Sequence, residues 1–491
     1  MQALEGKRRN CRFMRWSQIV NRRAISRLER LRGEVQGGVY MVSDKGYDQA
    51  RTGWNLSTEQ RPALVVMAER AADIVSAVGF ARDEDLTVGV MATGHGITAP
   101  VDEGSVLVNT SRMRDVHVMP ETRTARVSAG AKWADLIPKA AAHGLAGLWG
   151  STSDVGIVGY TLGGGFGWLG RKYGLACDSV KSAEVVTSAG ELVTASAEQN
   201  ADLFWGLKGG DGNFGVVTSL EFSLYPVSQV YGGNLFYPIA RATEVLDLYS
   251  CWSTSVPDDV SSTFAFTNLP PLPEVPASIR GKSWAVLRFC YSGDDLEQRG
   301  EDNLRPWREE LEKPAVDTIG VMPYGSTDTL SMDPVDPVAT YDHTEMLTDL
   351  SPAACRTLIE LCGETSGSPL IELQIRHLGG AASRPSESLN PMGHNDARFL
   401  LYGLGGNFTS EMGEAVGKYL ARVAADVDPH TGGTQCINFL ALDGATPERV
   451  RAAYTERDWE RLVATKDRWD PANRFRFNHN IPPTGFERLP R

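Results

Sequence analysis

The sequence predicts an α+β protein built from two domains. At 491 residues the chain is too long for one ordinary hydrophobic core. Its front half alternates short strands with helices and contains a glycine-dense stretch at residues 150–174, whereas longer strands and amphipathic helices follow from Tyr231 onward. The second pattern is typical of an antiparallel sheet covered by helices. We therefore expect a front domain at 34–227, a second domain at 228–445 and a C-terminal segment at 446–491.

The composition is that of a globular protein with an acidic surface. Hydrophobic residues make up 42% and charged residues 22% of the chain, and the net charge is -12. This balance disfavours a nucleic-acid partner, and no apolar run approaches the roughly 18 residues that a membrane span needs. The seven cysteines are scattered without CxxC or Cys/His metal spacing. We therefore expect reduced thiols, a cytoplasmic location and no metal site.

Residues 1–33 differ from the rest of the chain because lysines and arginines far outnumber the two acidic residues, Glu5 and Glu29. A secretory signal would need an apolar core of roughly 7 to 15 residues, and this segment has none. We expect a basic tail at 1–33 that is disordered or weakly helical rather than a targeting segment.

The front domain begins with a strand, a helix and a second strand. PALVVMA and LTVGVMATG are short apolar runs, and ERAADIVSAVGFARDE between them has apolar residues at helical spacing. The second strand leads into the loop Ala92-Thr93-Gly94-His95-Gly96. Strands SVLVNTS and ARVSAGA and the amphipathic helix WADLIPKAAAHGL come next.

The glycine-dense stretch, GSTSDVGIVGYTLGGGFGWLGRKYG, is the most informative part of the front domain. Glycines at this density let backbone N–H groups approach a ligand closely, as in phosphate-binding loops. Two spans, beginning at Gly165 and Gly210, match the dinucleotide motif GxGxxG. Neither follows a buried strand and opens a helix, as a Rossmann site requires. The pattern favours a different nucleotide-binding fold over a NAD-type one.

Alternating patterns complete the two domains. The hairpin VKSAEVVTSAGELVTAS and a strand at 216–224 end the front domain. In the second domain, the predicted strands are NLFYPI, STFAFTN, SWAVLRFCY, LIELQIRHL, RFLLYGL and QCINFLAL. The predicted helices are ATEVLDLYSCW, DDLEQRGEDNLRPWREEL and EMGEAVGKYLARVAADV, and PPLPEVP is a loop. The C-terminal segment contains a helix that stops at Pro471 and then an extended, asparagine-rich strand. We expect this segment to fold back onto the front domain.

Four motifs in this order resemble the vanillyl-alcohol oxidase and berberine bridge enzyme superfamily, whose FAD domain is of the p-cresol methylhydroxylase (PCMH) type. The motifs are the Gly94-His95 loop, VGIVGYTLGGGFGWLGRKYGLACDSV, GGDGNFGVVT and DPANRFRFNHNIPP. The likeness covers nearly all of residues 33–483 and is strongest to bacterial members of the D-hydroxynicotine oxidase type and to actinobacterial oxidases of natural-product pathways. It implies a two-part PCMH-type FAD-binding domain, a substrate domain and a C-terminal segment like that of berberine bridge enzyme.

The resemblance also implies an FAD cofactor held by one covalent bond. In the family, the histidine of the first loop is bonded to the 8α-methyl group of the flavin, and His95 stands at that position. Many relatives have a second, cysteinyl link, but Thr152 stands there and cannot form a thioether. The usual Arg-Ser-Gly-Gly-His is replaced by Met91-Ala92-Thr93-Gly94-His95, in which Thr93 can donate a hydroxyl hydrogen bond. The cofactor-binding residues implied are Ala92, Thr93, Gly94, His95, Gly96, Gly150, Ser151, Thr152, Val155, Gly156, Gly159, Tyr160, Gly163, Gly164, Gly167, Gly215, Val216, Val217, Asn478 and Asn480.

A strand of the second domain supplies the predicted catalytic side chains. Glu372, Gln374 and Arg376 alternate with apolar residues, so they project from one face. A solvent-facing strand has the same pattern, but the family's substrate-domain sheet covers the flavin with such a strand. Relatives that have a catalytic base often have a glutamate at the position of Arg376. Because arginine stays protonated, we expect Arg376 to orient an anionic or carbonyl-bearing substrate or to stabilise charge on the reduced flavin.

The catalytic base is not assigned by the sequence. Tyr402, His377 and His479 are the candidates, and Asn438 matches a family position close to the flavin or the substrate. We therefore predict Gln374, Arg376, Tyr402 and Asn438 as the catalytic group. For Asn438, Asn478 and Asn480, ordinary turn and edge-strand hydrogen bonding is an equally good interpretation.

The resulting hypothesis is an FAD-dependent oxidase that removes a hydride from a C–H beside an alcohol or amine of a small organic substrate. Its electrons would pass to O2, giving H2O2. The alternatives are a dehydrogenase with another acceptor, a flavin-binding protein without activity, and a nicotinamide-dependent reductase, for which the sequence offers no clear site. We expect a monomer or homodimer with a small-molecule substrate and O2 as its partners, and neither nucleic acid nor membrane.

Overall fold

Three β-sheets organise the chain, for which a computed structural model describes residues 22–384, 390–392, 397–440 and 444–486. Within these ranges, no helix is long and apolar enough to cross a membrane. The elements of the front domain are α1 (Arg22–Glu34), β1 (Val39–Met41), α2 (Tyr47–Arg51), β2 (Leu64–Met67), α3 (Ala71–Asp83), β3 (Thr87–Met91), β4 (Ser105–Asn109), β5 (Val116–Met119), β6 (Thr124–Ser128), α4 (Trp133–Ala141), α5 (Ile157–Leu162), α6 (Gly170–Tyr173), β7 (Val180–Val186), β8 (Leu192–Ser196), α7 (Ala201–Leu207) and β9 (Val216–Ser223).

The front domain consists of two small sheets, as the two-part FAD-binding fold requires. The first has the order β1-β2-β4-β3, in which β2 and β3 both pair with β4 in parallel and β1 pairs with β2 antiparallel. The second has the order β5-β6-β9-β7-β8 and is antiparallel throughout. β2 and β4 are buried along their whole length, which explains why their sequences are continuous apolar runs.

The second domain is built on an antiparallel sheet of eight strands. The remaining elements of the chain are β10 (Gln229–Pro238), α8 (Ala242–Trp252), β11 (Val260–Asn268), β12 (Ser283–Tyr291), α9 (Leu296–Glu309), β13 (Val316–Asp317), β14 (Gly320–Pro323), α10 (Asp328–Ser331), β15 (Thr340–Leu347), α11 (Pro352–Cys362), β16 (Glu372–His377), β17 (Phe399–Gly406), α12 (Ser410–Val427), α13 (Pro447–Ala452) and α14 (Glu456–Trp469). The sheet runs β13-β10-β12-β11-β16-β17-β15, and β14 also pairs with β10.

Alternation along β16 gives the large sheet two different faces. Leu373 and Ile375 are fully buried in the core that the sheet shares with α8, α11 and α12. Gln374 and Arg376 project from the opposite face, where Gln374 lies across from Tyr402 of β17 and Ala265 of β11. The predicted antiparallel sheet covered by helices is therefore confirmed, and the face opposite α8, α11 and α12 carries the predicted site residues.

Residues 22–33 of the predicted N-terminal tail take the helical form, not the disordered one. They belong to α1, whose Leu28 and Leu31 are buried against the first sheet. Arg27 forms an ion pair with Glu84 at 2.6 Å, and Arg32 forms one with Asp44 at 2.5 Å. The high density of arginines concealed these two leucines, which lie three residues apart and so face the same side of a helix. Residues 1–21 of the predicted tail lie outside the described residues.

Two predicted strands are also wrong. QCINFLAL contains a single 3-10 turn, Ile437–Phe439, and its residues 441–443 lie outside the described residues. The turn forms because Asn438 hydrogen-bonds two backbone groups of the glycine-dense stretch instead of joining a strand ladder. The asparagine-rich C-terminal stretch has no strand either. It lies against the front domain, where Phe475 is buried in the core and Val88 donates its N–H to the carbonyl of Arg474.

Candidate active site

His95 occupies the loop that follows β3, in contact with one aromatic ring and one carboxylate. The indole of Trp54 stacks on its ring, with centroids 4.3 Å apart and an interplanar angle of 20°. Asp154 Oδ2 lies 3.4 Å from Nε2, and Lys132 Nζ lies 2.5 Å from Asp154 Oδ1. Burial lowers the pKa of His95, although hydrogen bonding to Asp154 opposes this shift. The ring is therefore held neutral near pH 7, with Nε2 donating to Asp154.

This arrangement leaves the other ring nitrogen available. In a neutral imidazole, one nitrogen carries the proton and the other has a free lone pair. Because a carboxylate accepts but does not donate, the proton is assigned to Nε2. Nδ1 of His95 has no hydrogen-bond partner among the described residues. It can therefore act as the nucleophile toward an electrophilic carbon.

Close backbone packing fixes the His95 loop. Gly94 has φ of 77°, and a Cβ at this position would lie 2.5 Å from the Cα of Gly53. Hydrogen bonds from the N–H groups of Trp54 and Asn55 to the carbonyls of Thr93 and Gly94 keep the two segments together. Only glycine permits this approach, which places Trp54 over His95.

The glycine-dense stretch lines a cleft next to this loop. A Cβ on Gly156, at the start of α5, would lie 3.6 Å from the side chains of Ala92 and Thr93. Gly159 is exposed although its helix is otherwise mostly buried, and nothing lies within 4 Å of its missing Cβ. Gly96 also faces open space. Gly156 therefore packs α5 against the His95 loop, while Gly96 and Gly159 leave open space beside them for a ligand.

Other predicted cofactor residues support the cleft from behind. The ring of Tyr160 packs between Gly150 and Gly165, and its buried hydroxyl has no partner among the described residues. A Cβ on Gly167 would lie 1.7 Å from the carbonyl oxygen of Trp149, so this glycine serves packing. Gly163 and Gly164 lie beside Asn438. Ser151, Thr152 and Val155 lie between Gly150 and α5, and Thr152 is buried.

The predicted cofactor residues at the start of β9 have their side chains packed in the protein interior. Gly215 has φ of 156°, and a Cβ there would lie 2.5 Å from Val185. The side chains of Val216 and Val217 are buried in two hydrophobic cores. Only the backbone of these three residues is thus available to a ligand.

The C-terminal segment brings two unsatisfied amides to the same domain. The Oδ1 atoms of Asn478 and Asn480 are buried without a hydrogen-bond partner among the described residues. Buried polar atoms are nearly always paired in folded proteins, so these acceptors indicate a missing donor. Open glycines together with unsatisfied acceptors fit a cofactor such as FAD, which has phosphates and several O–H and N–H groups.

A chain of buried polar side chains crosses the site face of the large sheet. Arg288 forms an ion pair with Glu372 at 2.6 Å, Gln374 Nε2 donates to Glu372 Oε2 at 2.8 Å, and Arg376 Nε donates to Gln374 Oε1 at 2.9 Å. Gln374 is 2% exposed, and its amide nitrogen and oxygen both have partners in this chain. Its amide is therefore fully engaged within the protein, where it holds the Nε of Arg376; the catalytic role of Gln374 stays a prediction.

Arg376 ends this chain beside two aromatic rings. Its guanidinium carbon lies 4.9 Å from the ring centroid of Phe439 and 5.7 Å from that of Tyr402. The hydroxyl of Tyr402 donates to Asp342 Oδ2 at 3.1 Å. Burial lowers the pKa of Arg376 and raises the pKa of Tyr402 well above its ordinary value. The site thus has a cation beside a phenol that is hydrogen-bonded to a carboxylate.

The other candidates for the base do not reach this site as free groups. His377 points to the opposite face of β16, where it stacks on Phe399, and burial together with Arg171 lowers its pKa to about 3. His479 has both ring nitrogens engaged, Nδ1 with Asp211 at 2.9 Å and Nε2 with the carbonyl of Leu440 at 3.1 Å. Tyr402 is therefore the candidate that remains.

Asn438 connects the second domain to the glycine-dense stretch through both atoms of its amide. Its Nδ2 donates to the carbonyl of Tyr160 at 2.9 Å, and its Oδ1 accepts the N–H of Gly165 at 2.5 Å. The segment that leads into β15 makes further connections, since Trp54 Nε1 donates to the carbonyl of Val335 and Ser153 donates to Asp328. Asp333 of this segment interacts electrostatically with both His95 and Arg376. The His95 loop and the site face of the sheet therefore border one region.

Sequence reasoning missed four residues of this region. Trp54, Asp154, Asp342 and Phe439 make the contacts described above with His95, Tyr402 and Arg376. The sequence did contain an indication that Asp154 belongs to the site, because it is the one charged residue between Gly150 and Gly170 in a stretch that was assigned to the cofactor. The others depend on the pairing of distant segments, which local sequence patterns do not specify.

Known proteins resemble this chain in both sequence and structure. A family model described as "FAD binding domain" matches residues 62–196, and one described as "Berberine and berberine like" matches residues 437–482. The (R)-6-hydroxynicotine oxidase of Paenarthrobacter nicotinovorans is 27% identical over 473 residues, which cover 92% of this chain and 98% of that protein. An FAD-linked oxidoreductase of Dictyostelium discoideum is 27% identical over 91% of this chain and 95% of its own length.

The solved structures extend this likeness. The crystal structure of 6-hydroxy-D-nicotine oxidase from Arthrobacter nicotinovorans superposes with a TM-score of 0.77 at 26% identity, covering 91% of this chain and 98% of that one. Berberine bridge enzyme from Eschscholzia californica, at 20% identity, shares the fold with a TM-score of 0.78 over 94% of this chain and 99% of its own. The chain is an FAD-linked oxidoreductase with an FAD-binding domain and a berberine-like segment, and it is similar over nearly its whole length to 6-hydroxynicotine oxidase.

Proposed function

We propose that this protein is an oxidase that removes a hydride from a C–H beside a hydroxyl or amine of a small organic molecule. FAD would be bonded to Nδ1 of His95, and O2 would be the electron acceptor. One observation supports this proposal most strongly. A neutral His95, held by Asp154 and Trp54, lies beside glycines that face open space, and Asp333 acts electrostatically on both His95 and Arg376.

The residues that would hold the cofactor follow from the site. The backbone around Gly96 and Gly159 faces open space, where its N–H groups would approach the phosphates. The amide oxygens of Asn478 and Asn480, which have no hydrogen-bond donor among the described residues, would accept hydrogen bonds from the cofactor. When bound, the flavin supplies the two-electron acceptor that this chemistry requires. His95 would keep that acceptor in place, and Thr152 leaves it with a single covalent bond.

Tyr402 and Asp342 would handle the substrate proton. The pKa of Tyr402 is raised by burial and by Asp342, so its phenol stays protonated at neutral pH. As the substrate heteroatom loses its proton to the phenolic oxygen, the original phenolic proton can move to Asp342 Oδ2, 3.1 Å away. Arg376 would hold the substrate beside this pair.

Spectroscopy of the purified holoenzyme tests the proposal. Under argon, a panel of alcohols and amines is added and the visible absorption of the flavin is followed. We expect at least one compound to bleach the flavin, and admission of air to restore its colour with release of H2O2. The Tyr402→Phe variant should bleach at least about a hundredfold more slowly, since general acid–base catalysis contributes roughly 10²–10⁴-fold. A Tyr419→Phe variant serves as the control, because that hydroxyl contacts the carbonyl of Leu361.

Three results would contradict parts of this proposal. Colour restored by an added dye but not by air would identify a dehydrogenase. Flavin that no compound bleaches would favour a binding protein without activity, and bleaching by NADH would identify a nicotinamide-dependent reductase.

A further inference from the structure

The guanidinium of Arg376 is only partly satisfied by the protein. An arginine has five N–H donors, and the described residues accept only from Nε, through Gln374. No carboxylate of the described residues lies within 4.0 Å of Arg376, whereas the neighbouring Arg288 is paired with Glu372 at 2.6 Å. The forked end of Arg376 is therefore open to a ligand.

The nearby carboxylates are engaged elsewhere. Glu372 accepts hydrogen bonds from Arg288, Thr267 and Gln374, and Asp342 accepts the hydroxyl of Tyr402. Asp333 acts on Arg376 through space without forming an ion pair. Because arginine does not lose its proton in proteins, the positive charge persists. Arg376 is only partly buried, and a desolvated charge without an ion-pair partner is unfavourable, so a negatively charged ligand would be stabilised here.

The guanidinium is surrounded mainly by aromatic rings and apolar side chains. The rings of Phe439 and Tyr402 flank it, and Met346 and Leu400 are buried in the same cluster. On the neighbouring strand β11, the short side chain of Thr263 stands directly opposite Arg376. A planar oxyanion could approach the fork while an apolar body packs on the rings. Arginine binds a carboxylate through two parallel N–H···O bonds in this geometry.

We propose that Arg376 is the receptor for a carboxylate of the substrate. The substrate class would then be a small organic acid with an apolar or aromatic body, and Gln374 would hold the receptor in place through Glu372. That this acid is also the molecule oxidised rests on the proposed function.

The contacts favour the substrate over the flavin as the partner of Arg376. Asn438 contacts the glycine-dense stretch, with 2.9 Å and 2.5 Å hydrogen bonds to Tyr160 and Gly165. Arg376 packs on the next residue, Phe439, and on strand β17. Its open donors thus belong to the wall formed by the second domain.

Calorimetric titration of the holoenzyme tests the proposal without requiring turnover. The probes are acetate, benzoate and 4-phenylbutyrate, each compared with its primary amide. We expect at least one acid to bind at least about tenfold more tightly than its amide, as for a charge-assisted pair. In Arg376→Met this preference should vanish while amide binding persists, and Arg376→Lys should retain part of it. Arg398→Met is the control, because this partly exposed arginine of the segment before β17 pairs with Asp349 instead.

Two results would overturn the proposal. One is that no acid in the series binds more tightly than its amide to the wild-type protein. The other is that Arg376→Met leaves the preference for acids intact. If this variant also lowers the midpoint potential of the flavin, Arg376 stabilises the negative charge of the reduced flavin instead. Flavin content and flavin bleaching are recorded on the same samples. Failure of the oxidase proposal can therefore be distinguished from failure of the carboxylate proposal.

Discussion

At the residue scale, the account depends on which nitrogen of His95 is free. Asp154 accepts the Nε2 proton and Lys132 pairs with Asp154, so Nδ1 keeps its lone pair. The sequence was sufficient to single out His95, because a histidine in a glycine loop at a strand end is unusual. It was not sufficient for Asp154 and Trp54, because their contacts with His95 depend on how three loops pack. Proximity of this kind follows from tertiary structure rather than from local pattern.

Asp154→Asn should slow the attachment of FAD to His95. The asparagine keeps the size of the side chain but loses the charge that orients and polarises the imidazole. We expect the initial rate to fall at least about tenfold, equivalent to roughly 1.4 kcal/mol of activation free energy. The rate is measured by adding FAD to the apo-protein and determining the flavin retained after acid precipitation. Asp328→Asn provides a matched control, since Asp328 contacts Ser153 but not His95. Equal rates in the two variants would show that Asp154 has no part in attachment.

At the element scale, periodicity predicted most helices and strands of the described chain. β16 shows why, because its alternating apolar residues face a helical core while its polar residues face the site. The predictions failed where a segment obtained its hydrogen bonds from distant partners. The turn at Ile437–Phe439 is apolar enough for a strand, but Asn438 bonds the glycine-dense stretch instead. Helix α5, with its exposed Gly159, is the element through which the proposed cofactor site is tested.

Gly159→Ala on α5 should separate folding from cofactor binding. Nothing lies within 4 Å of the added Cβ, and alanine is favoured over glycine in helices by about 1 kcal/mol. The apo-protein should therefore be at least as stable as the parent. If the open space belongs to FAD, affinity should fall at least about tenfold, or roughly 1.4 kcal/mol. The measurement is a flavin fluorescence titration in a His95→Ala background, where binding is expected to be reversible.

Gly79→Ala on α3 is the matched control for this change, since its Cβ also meets nothing within 4 Å and the residue lies away from the cleft. Unchanged FAD affinity in Gly159→Ala would place the cofactor elsewhere.

At the scale of the whole molecule, the C-terminal segment closes the front domain. The sequence predicted this return from the aromatic and asparagine-rich tail, which would be unfavourable if exposed. It did not predict the central interaction, a buried lysine. Lys466 Nζ is fully buried and donates to Asp470 and to the carbonyls of Asn213 and Phe475. A lysine in a charged amphipathic helix is normally solvated, so no local pattern distinguishes this one.

Lys466→Met should destabilise the protein strongly. Removing one partner of a buried ion pair leaves Asp470 uncompensated, which costs roughly 3–5 kcal/mol. We expect a lower midpoint of denaturant-induced unfolding, followed by circular dichroism. Lys418→Met is the comparison, because Lys418 forms an exposed i,i+4 pair with Glu414 and its loss should change the midpoint very little. Equal midpoints for the two variants would mean that the C-terminal segment contributes little to stability.

Peptide mass mapping of the native holoenzyme tests the central claim most directly. After denaturation and proteolysis, the flavin should be found on the peptide that contains His95, with none on the peptide that contains Thr152 or on any cysteine. Flavin released free from the denatured protein, or attached to another residue, would contradict the account.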